Sequence, residues 1–244
     1  GKSLPEGGTP VYFGDGNTWN TVVDDIYVLH QRLKQRYPDV PLCIMGHSMG
    51  SFLTRTYLIR YPGTVKAAVI MGTGWQPRAA ITGGLALANA YAAVSGENAT
   101  SELVTELAFG SYNKLFAPNR TKVDWLSADE SNVDDYIADP LCGADATVGL
   151  FRQMLHGIRF NQRQSHLRQM DREMPVLFVA GDKDPVGSCG KGVRQTYDAF
   201  RAAGMRDCTL KLYPGLRHEI LNEKAYTADI TKNIEAWLLS RLEK

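Results

Sequence analysis

The sequence has few cysteines, and none of them is spaced to hold a metal ion or a redox couple. It contains four cysteines, which form no C-x-x-C pair, the spacing typical of zinc sites and thiol redox motifs. The histidines show no metal-ligand spacing either. We therefore expect no metal and no cofactor, and the unpaired thiols favour a reducing, cytosolic compartment.

Long apolar runs and a strong net charge are also lacking. The apolar stretch 81–94 is interrupted by glycine and asparagine and is too short to span a bilayer. Because a nucleic-acid-binding surface is usually basic, the net charge of +1 argues against a nucleic-acid partner. A composition of 44% hydrophobic and 22% charged residues is ordinary for a globular protein. The length of 244 residues suffices for one large or two modest domains.

One stretch combines a strand pattern, a tight turn and a helix pattern. Residues 42–45, LCIM, predict a buried parallel strand that includes Cys43. The next five residues, GHSMG, fit G-x-S-x-G, and apolar residues then recur at helical spacing. In that context the motif predicts a nucleophile elbow, in which the turn raises the hydroxyl of Ser48 above the sheet. The glycines on either side leave room for the turn, and the helix directs its first N–H groups at the same point.

Strand and helix patterns alternate at both ends of the chain but not in the middle. Residues 1–71 contain a helix pattern, the elbow strand with its helix, and a second buried strand. Residues 174–244 contain two further strands, each followed by a helix. This order predicts an α/β fold with a parallel sheet and flanking crossover helices. Residues 72–173 show helix patterns and polar loops, and we interpret them as an inserted helical cap.

Two loops after the later strands carry the groups that a serine nucleophile needs. A serine hydroxyl becomes a good nucleophile when a histidine, itself held by a carboxylate, takes its proton. Asp184 and His218 each follow one of the last two strands, in the order serine, acid, histidine. Asp182 is a rival for the acid, and Asp184 and His218 could instead serve a turn and the surface. We exclude His47 as the base because neighbouring side chains on so tight a turn point apart.

With these elements in place, the chain resembles the α/β-hydrolase superfamily. It is most similar to the lysophospholipase and monoacylglycerol lipase-like branch, often labelled serine aminopeptidase S33-type. The resemblance rests on the elbow GHSMG and on the later loops GDKDPVG and RHE, and it extends over essentially the whole chain. It implies that Ser48 is the nucleophile, Asp184 the acid and His218 the base. It also implies that the N–H of Met49 forms half of the oxyanion hole.

The sequence departs from that family at its beginning. Such proteins normally open with further strands, one of which ends in a His-Gly loop that donates the second oxyanion N–H. No such loop precedes Ser48, and Gly1-Lys2-Ser3 resembles the tail of a later Gly-His-Gly-x-Ser element. We therefore expect the N-terminal strands to be missing, which leaves four parallel strands and an exposed elbow strand at the edge.

The expected function is hydrolysis of a small-molecule carboxylic ester through an acyl-enzyme, with lysophospholipid or monoacylglycerol-type lipids as substrates. Two alternatives stay open. The S33-type label permits a peptidase or amidase, and a truncated, non-catalytic chain would act as a binding module. Loss of one oxyanion donor typically costs about 10²–10³ in rate, which supports the second alternative, whereas the intact triad pattern opposes it.

Two features of the predicted cap bear on the substrate. Apolar residues of the stretch 79–94, among them Ile81, Leu85 and Val94, either line an acyl pocket or pack the cap against the core. A set of arginines in 151–172 either meets an anionic head group or forms a solvated helix face. These are Arg152, Arg159, Arg163, Arg168 and Arg172.

Overall fold

The fold is built on one parallel sheet whose strands follow one another in chain order. The computed structural model describes Leu4 and residues 6–242, so the Gly1-Lys2-Ser3 prediction lies outside the described residues. The strands pair in the order β1-β2-β3-β4, every pair parallel. They are β1 (Cys43–His47), β2 (Ala67–Met71), β3 (Val176–Gly181) and β4 (Cys208–Tyr213). The prediction of an α/β fold with a parallel sheet of four strands is confirmed.

Helices cover both faces of this sheet. Ile70 and Phe178 lie in one hydrophobic cluster with residues of α2 and α8, whereas Val69 and Val179 lie in a second cluster with residues of α9. Because both faces are covered, every residue of β2 and β3 is buried. The helices are α1 (Thr18–Arg36), α2 (Met49–Arg60), α3 (Arg78–Ser95), α4 (Glu102–Lys114), α5 (Glu130–Ala138), α6 (Val148–Asn161), α7 (Gln164–Leu167), α8 (Lys191–Ala202) and α9 (Thr227–Leu242).

Strand β1 forms one of the two edges of the sheet. No described residue pairs with its outer side, and the side chains of Cys43 and Met45 are exposed. The predicted strand and its expected position at an exposed edge are confirmed, but the separate prediction that Cys43 is buried is wrong, because β1 has a neighbour on one side only. All four cysteines are free thiols.

The middle of the chain is helical. It contains α3 to α7 and a 3₁₀ helix, Asp124–Leu126. Residues 124–135, which the sequence suggests are a polar loop, include that 3₁₀ helix and the start of α5. Helix α6 packs against α2, and Ile81 and Leu85 of α3 lie in the main core cluster. Their burial favours the packing interpretation over the acyl pocket, while Val94 is 88% exposed. The domain limits at 72 and 173 stay a prediction.

The described part of the chain has neither a membrane-spanning helix nor a cluster of metal-ligating side chains. No helix there has both the length and the apolar character that crossing a membrane requires. Nor does any group of three or more histidine, cysteine, aspartate or glutamate side chains there stand close enough together to hold a metal ion.

Candidate active site

The turn between β1 and α2 holds Ser48 in a strained backbone conformation. Its φ of 55° and ψ of −121° are rare for a residue with a side chain. The N–H of Ser48 donates to the carbonyl of Met71 at the end of β2, 3.0 Å away. A Cβ on Gly46 would lie 2.2 Å from the carbonyl oxygen of Gly50, so only glycine fits there. A Cβ on Gly50 would meet nothing within 4 Å, so the need for room that the motif predicts applies to the first glycine alone.

Met49 is the first residue of α2, directly after Ser48. The first N–H groups of a helix have no partner within the helix, and the helix dipole places partial positive charge around them. No side-chain cap satisfies this end of α2. The N–H of Met49 is therefore available to a negatively charged oxygen next to Ser48.

The two candidate acids have different partners. Asp184 is fully buried, and its carboxylate accepts from the N–H of Val186 at 2.9 Å and contacts Nδ1 of His218 at 3.0 Å. Asp182 instead accepts from the N–H of Gly215 at 2.8 Å and so supports the turn after β4. The structure thus brings Asp184, and not Asp182, against the histidine.

The imidazole of His218 lies over the carboxyl end of β2. It is 3% exposed, and its Cε1 would be 3.1 Å from a Cβ on Gly72, the residue after the one that anchors Ser48. Among the described residues the Ser48 hydroxyl makes no hydrogen bond to His218. Such bonds are often long without substrate and tighten in the complex. The three residues therefore lie at the same edge of the sheet, where the parallel strands end. The hydrogen bond between the Ser48 hydroxyl and His218 is the one contact of the triad that is not formed among the described residues.

His47, which sequence reasoning excludes as the base, contacts His218 directly. The two rings are 4.6 Å apart between centroids, and Nε2 of His47 is 3.0 Å from the carbonyl oxygen of His218. Burial, and then the nearby His218, lowers the pKa of His47. A neutral His47 protonated at Nε2 donates to that carbonyl and so ties the elbow to the histidine loop. The motif alone carries no sign of this contact.

Residues of the middle segment also contact the loop that carries His218. Arg217 donates to the carbonyl of Ser127 at 2.9 Å, and the N–H of Glu219 donates to the carbonyl of Leu126 at 2.8 Å. The ring of Trp125 lies 5.2 Å from that of His218. Burial, and then the charge of Asp184, raises the pKa of Tyr112, which packs against Trp125, to about 12. An aromatic surface thus adjoins the candidate base.

A fully buried arginine, Arg55 of α2, is a further residue that sequence reasoning missed. It donates to the carbonyl of Gly74 at 2.9 Å and to the hydroxyl of Thr73 at 3.3 Å. Burial lowers its pKa to about 9. It braces the loop after β2, and Gly74 of that loop packs against the backbone of Val186 beside the acid. The only signal in the sequence is a charged residue in the middle of α2, whose other arginine, Arg60, stands at the C-terminal end of the helix.

The sequence matches a known family over most of its length. The model of the family described as "Serine aminopeptidase, S33" matches residues 6–225. The monoacylglycerol lipase of Mycolicibacterium smegmatis is 30% identical over 227 residues, which cover 90% of this chain and 70% of that protein. The monoglyceride lipase of Mus musculus is 26% identical, over 90% of this chain and 65% of that protein. The chain therefore spans about two thirds of the length of these curated relatives.

Solved structures share the fold. A thermostable carboxyl esterase from Bacillus coagulans aligns with a TM-score of 0.86 at 24% identity, over 93% of this chain and 73% of that one. The monoacylglycerol lipase of Paleococcus ferrophilus aligns with a TM-score of 0.67 at 18% identity, over 91% of this chain and 76% of that one. At these identities the likeness establishes the fold alone.

Proposed function

The chain belongs to the serine aminopeptidase S33 family of α/β-hydrolases, and from that premise we propose that it hydrolyses carboxylic esters of lipids through an acyl-enzyme. The prediction of an α/β-hydrolase of the esterase and lipase class is confirmed by the family match and by the lipases to which the chain is similar in sequence. The substrate class is our proposal, with monoacylglycerols first and lysophospholipids second, and the relatives named as monoacylglycerol and monoglyceride lipases support that order.

The observation that carries the proposal is the buried pair of Asp184 and His218 beside a strained serine. The carboxylate of Asp184 accepts from Nδ1–H, which leaves Nε2 of His218 as the basic atom. His218 takes the proton of Ser48 as the serine oxygen attacks the ester carbonyl, and the N–H of Met49 stabilises the negative oxygen that forms. His218 then protonates the leaving alcohol, and water, activated by the same base, releases the fatty acid.

We also propose that the segment 72–173 acts as the cap and supplies the acyl-binding surface. The aromatic rings of Phe109, Tyr112 and Trp125, which are partly exposed, form a continuous set of contacts that reaches His218. Such a surface offers apolar area to an acyl chain next to the candidate base. It replaces the α3 residues Ile81 and Leu85 as the favoured lining, since these are buried in the core.

The test of the nucleophile is labelling by a fluorophosphonate probe together with ester turnover. Ser48→Ala should abolish labelling and lower kcat by about 10⁴-fold or more, because a triad acts as a unit. Ser165→Ala, at an exposed serine of α7, is the matched control and should change neither. Labelling that persists in Ser48→Ala would refute the assignment.

The substrate class is tested by assaying a monoacylglycerol, a lysophospholipid and an aminoacyl amide side by side on the same preparation. We expect turnover of the monoacylglycerol to exceed that of the other two. Faster cleavage of the amide would favour the peptidase alternative that the family description permits. Labelling without turnover of any of the three would favour a chain that binds but does not catalyse.

A further inference from the structure

A cleft at the start of α1 lies apart from the candidate active site. It has a volume of about 450 Å³ and lies between the start of α1 and the helix α6, with Arg163 just after that helix. It shares no lining residue with the Ser48, Asp184 and His218 site. Of the five arginines that the sequence singles out, three line this cleft, while Arg168 and Arg172 lie outside it.

The charges that face this cleft are positive. Arg159 and Arg163 are exposed, and neither has a carboxylate within 4.0 Å among residues 6–242. The third arginine, Arg152, is ion-paired with Glu97. Within the described part of the chain, no aspartate or glutamate lines the cleft. The nearest acid along the chain, Asp15, accepts a hydrogen bond from the hydroxyl of Tyr12. Two cationic side chains are thus left without a partner of opposite charge.

The first turn of α1 lies at the same cleft and adds partial positive charge to it. The cap residue Asn17 makes no side-chain capping bond, and the first turn contains no acidic residue. The N–H of Trp19 reaches the side chain of Gln153 at 3.4 Å, which is a long contact. The partial positive charge of this 19-residue helix is therefore not offset at its N-terminus.

His156 lies on the same wall and is affected by the same cations. Nη2 of Arg159 is 3.1 Å from Nδ1 of His156, which makes Nδ1 the acceptor and leaves Nε2–H as a donor. Burial, and then Arg159 and Arg152, lowers the pKa of this histidine. An anion in the cleft would oppose the effect of the arginines and raise the pKa again.

We propose that this cleft binds the phosphate group of a small phosphorylated molecule. Two arginines, an uncapped helix N-terminus and an imidazole N–H all donate, and phosphate is the group that accepts from several such donors at once. The volume exceeds that of a phosphate ion, and the partly exposed Phe160 provides an apolar wall for an organic portion. The site does not depend on the proposed ester hydrolysis.

The experiment is calorimetric titration of the full chain with inorganic phosphate and, separately, with glycerol 3-phosphate. Replacing both cleft arginines, in Arg159→Gln/Arg163→Gln, should weaken binding of either probe by about tenfold or more, because each charge-assisted bond is lost. Arg168→Gln/Arg172→Gln removes the same charge from the same segment outside the cleft and should keep the affinity within about twofold. Tighter binding of glycerol 3-phosphate than of phosphate would show that the wall at Phe160 also contacts the organic portion of the ligand.

A second readout follows the imidazole of His156 by NMR. Phosphate should raise the pKa of His156 in the wild-type chain and in the Arg168→Gln/Arg172→Gln control, but not in the cleft variant. The proposal is overturned if the wild-type chain binds neither probe, or if both double variants lose affinity equally. Binding to anionic vesicles without binding of either small probe would also overturn it and would indicate a membrane-facing patch instead.

Discussion

The two sides of the candidate active site are held in different ways. The acid–base side is interior: Asp184 is fully buried, His218 is 3% exposed, and both take part in hydrogen bonds with fixed partners. The nucleophile side follows an edge strand, where Met45 is 45% exposed. There the position of Ser48 depends on backbone strain and on the close packing of Gly46.

Because of this difference, we expect substitutions on the two sides to have different effects. On the interior side the geometry is over-determined by buried polar contacts, so removing one partner should damage catalysis before it damages the fold. On the edge side the turn at Ser48 requires that Gly46 has no side chain. Adding a single methyl group at Gly46 should therefore destabilise the fold itself. His47 joins the two sides, since it belongs to the elbow and contacts the histidine loop.

The largest expected effect concerns the acid. Asp184→Asn should lower kcat by about 10³–10⁴-fold, because an amide no longer holds Nδ1–H of His218 in the required tautomer. Asp182→Asn is the matched control, since that carboxylate serves the turn at Gly215, and its kcat should fall less than about tenfold. Ester turnover at saturating substrate measures both variants. Equal losses would contradict the division between the two acids.

The next effect tests the strain at the elbow. Gly46→Ala should lower the free energy of unfolding by about 3 kcal/mol or more, since its Cβ would overlap the carbonyl of Gly50. Gly50→Ala adds a methyl group in open space within a helix and should change stability by no more than about 1 kcal/mol, in the stabilising direction. Urea unfolding compares the two. A Gly46→Ala chain as stable as the wild type would remove the argument from close packing.

A smaller effect is expected from the residue that joins the two sides. Because burial lowers the pKa of His47, the folded chain binds fewer protons there than the unfolded chain does. Its contribution therefore lowers the free energy of unfolding as the pH falls below about 6.5, the value of a free histidine. His47→Gln should make the pH dependence of stability shallower between about pH 5 and 7, as measured by urea unfolding. An unchanged slope would show that His47 titrates alike in both states.

The smallest effect concerns the edge strand. Met45→Lys should change the free energy of unfolding by less than about 0.5 kcal/mol, because the side chain is exposed. It should also reduce self-association, since a charge on an open edge opposes strand pairing. Val69→Lys, in the fully buried β2, should destabilise the chain by several kcal/mol for lack of any partner for its charge. Light scattering and unfolding measure the pair, and a large loss in Met45→Lys would show that the edge is covered.

Some elements of the structure could be predicted from the sequence, and others could not. The four strands and the elbow followed from short apolar runs and one glycine-flanked motif, because burial on both faces of a parallel strand leaves a plain apolar signature. The helix α5 is not predicted because its polar sequence carries little periodicity, and the 3₁₀ helix Asp124–Leu126 is too short to show any. The burial predicted for Cys43 is wrong because an apolar run does not by itself report which strand ends a sheet, whereas the family's strand order led to the expectation of an exposed edge there.

The sequence by itself determined the four strands, most of the helices, their order and the loops that carry Ser48, Asp184 and His218, since these depend on local periodicity and turn chemistry. Only the tertiary structure decided which of the two aspartates meets the imidazole, that His47 and Trp125 flank it, and that three of the five arginines share one cleft. The reason is physical: contacts between distant segments are set by register and by how helices pack on the sheet, and neither is encoded in any single stretch of residues.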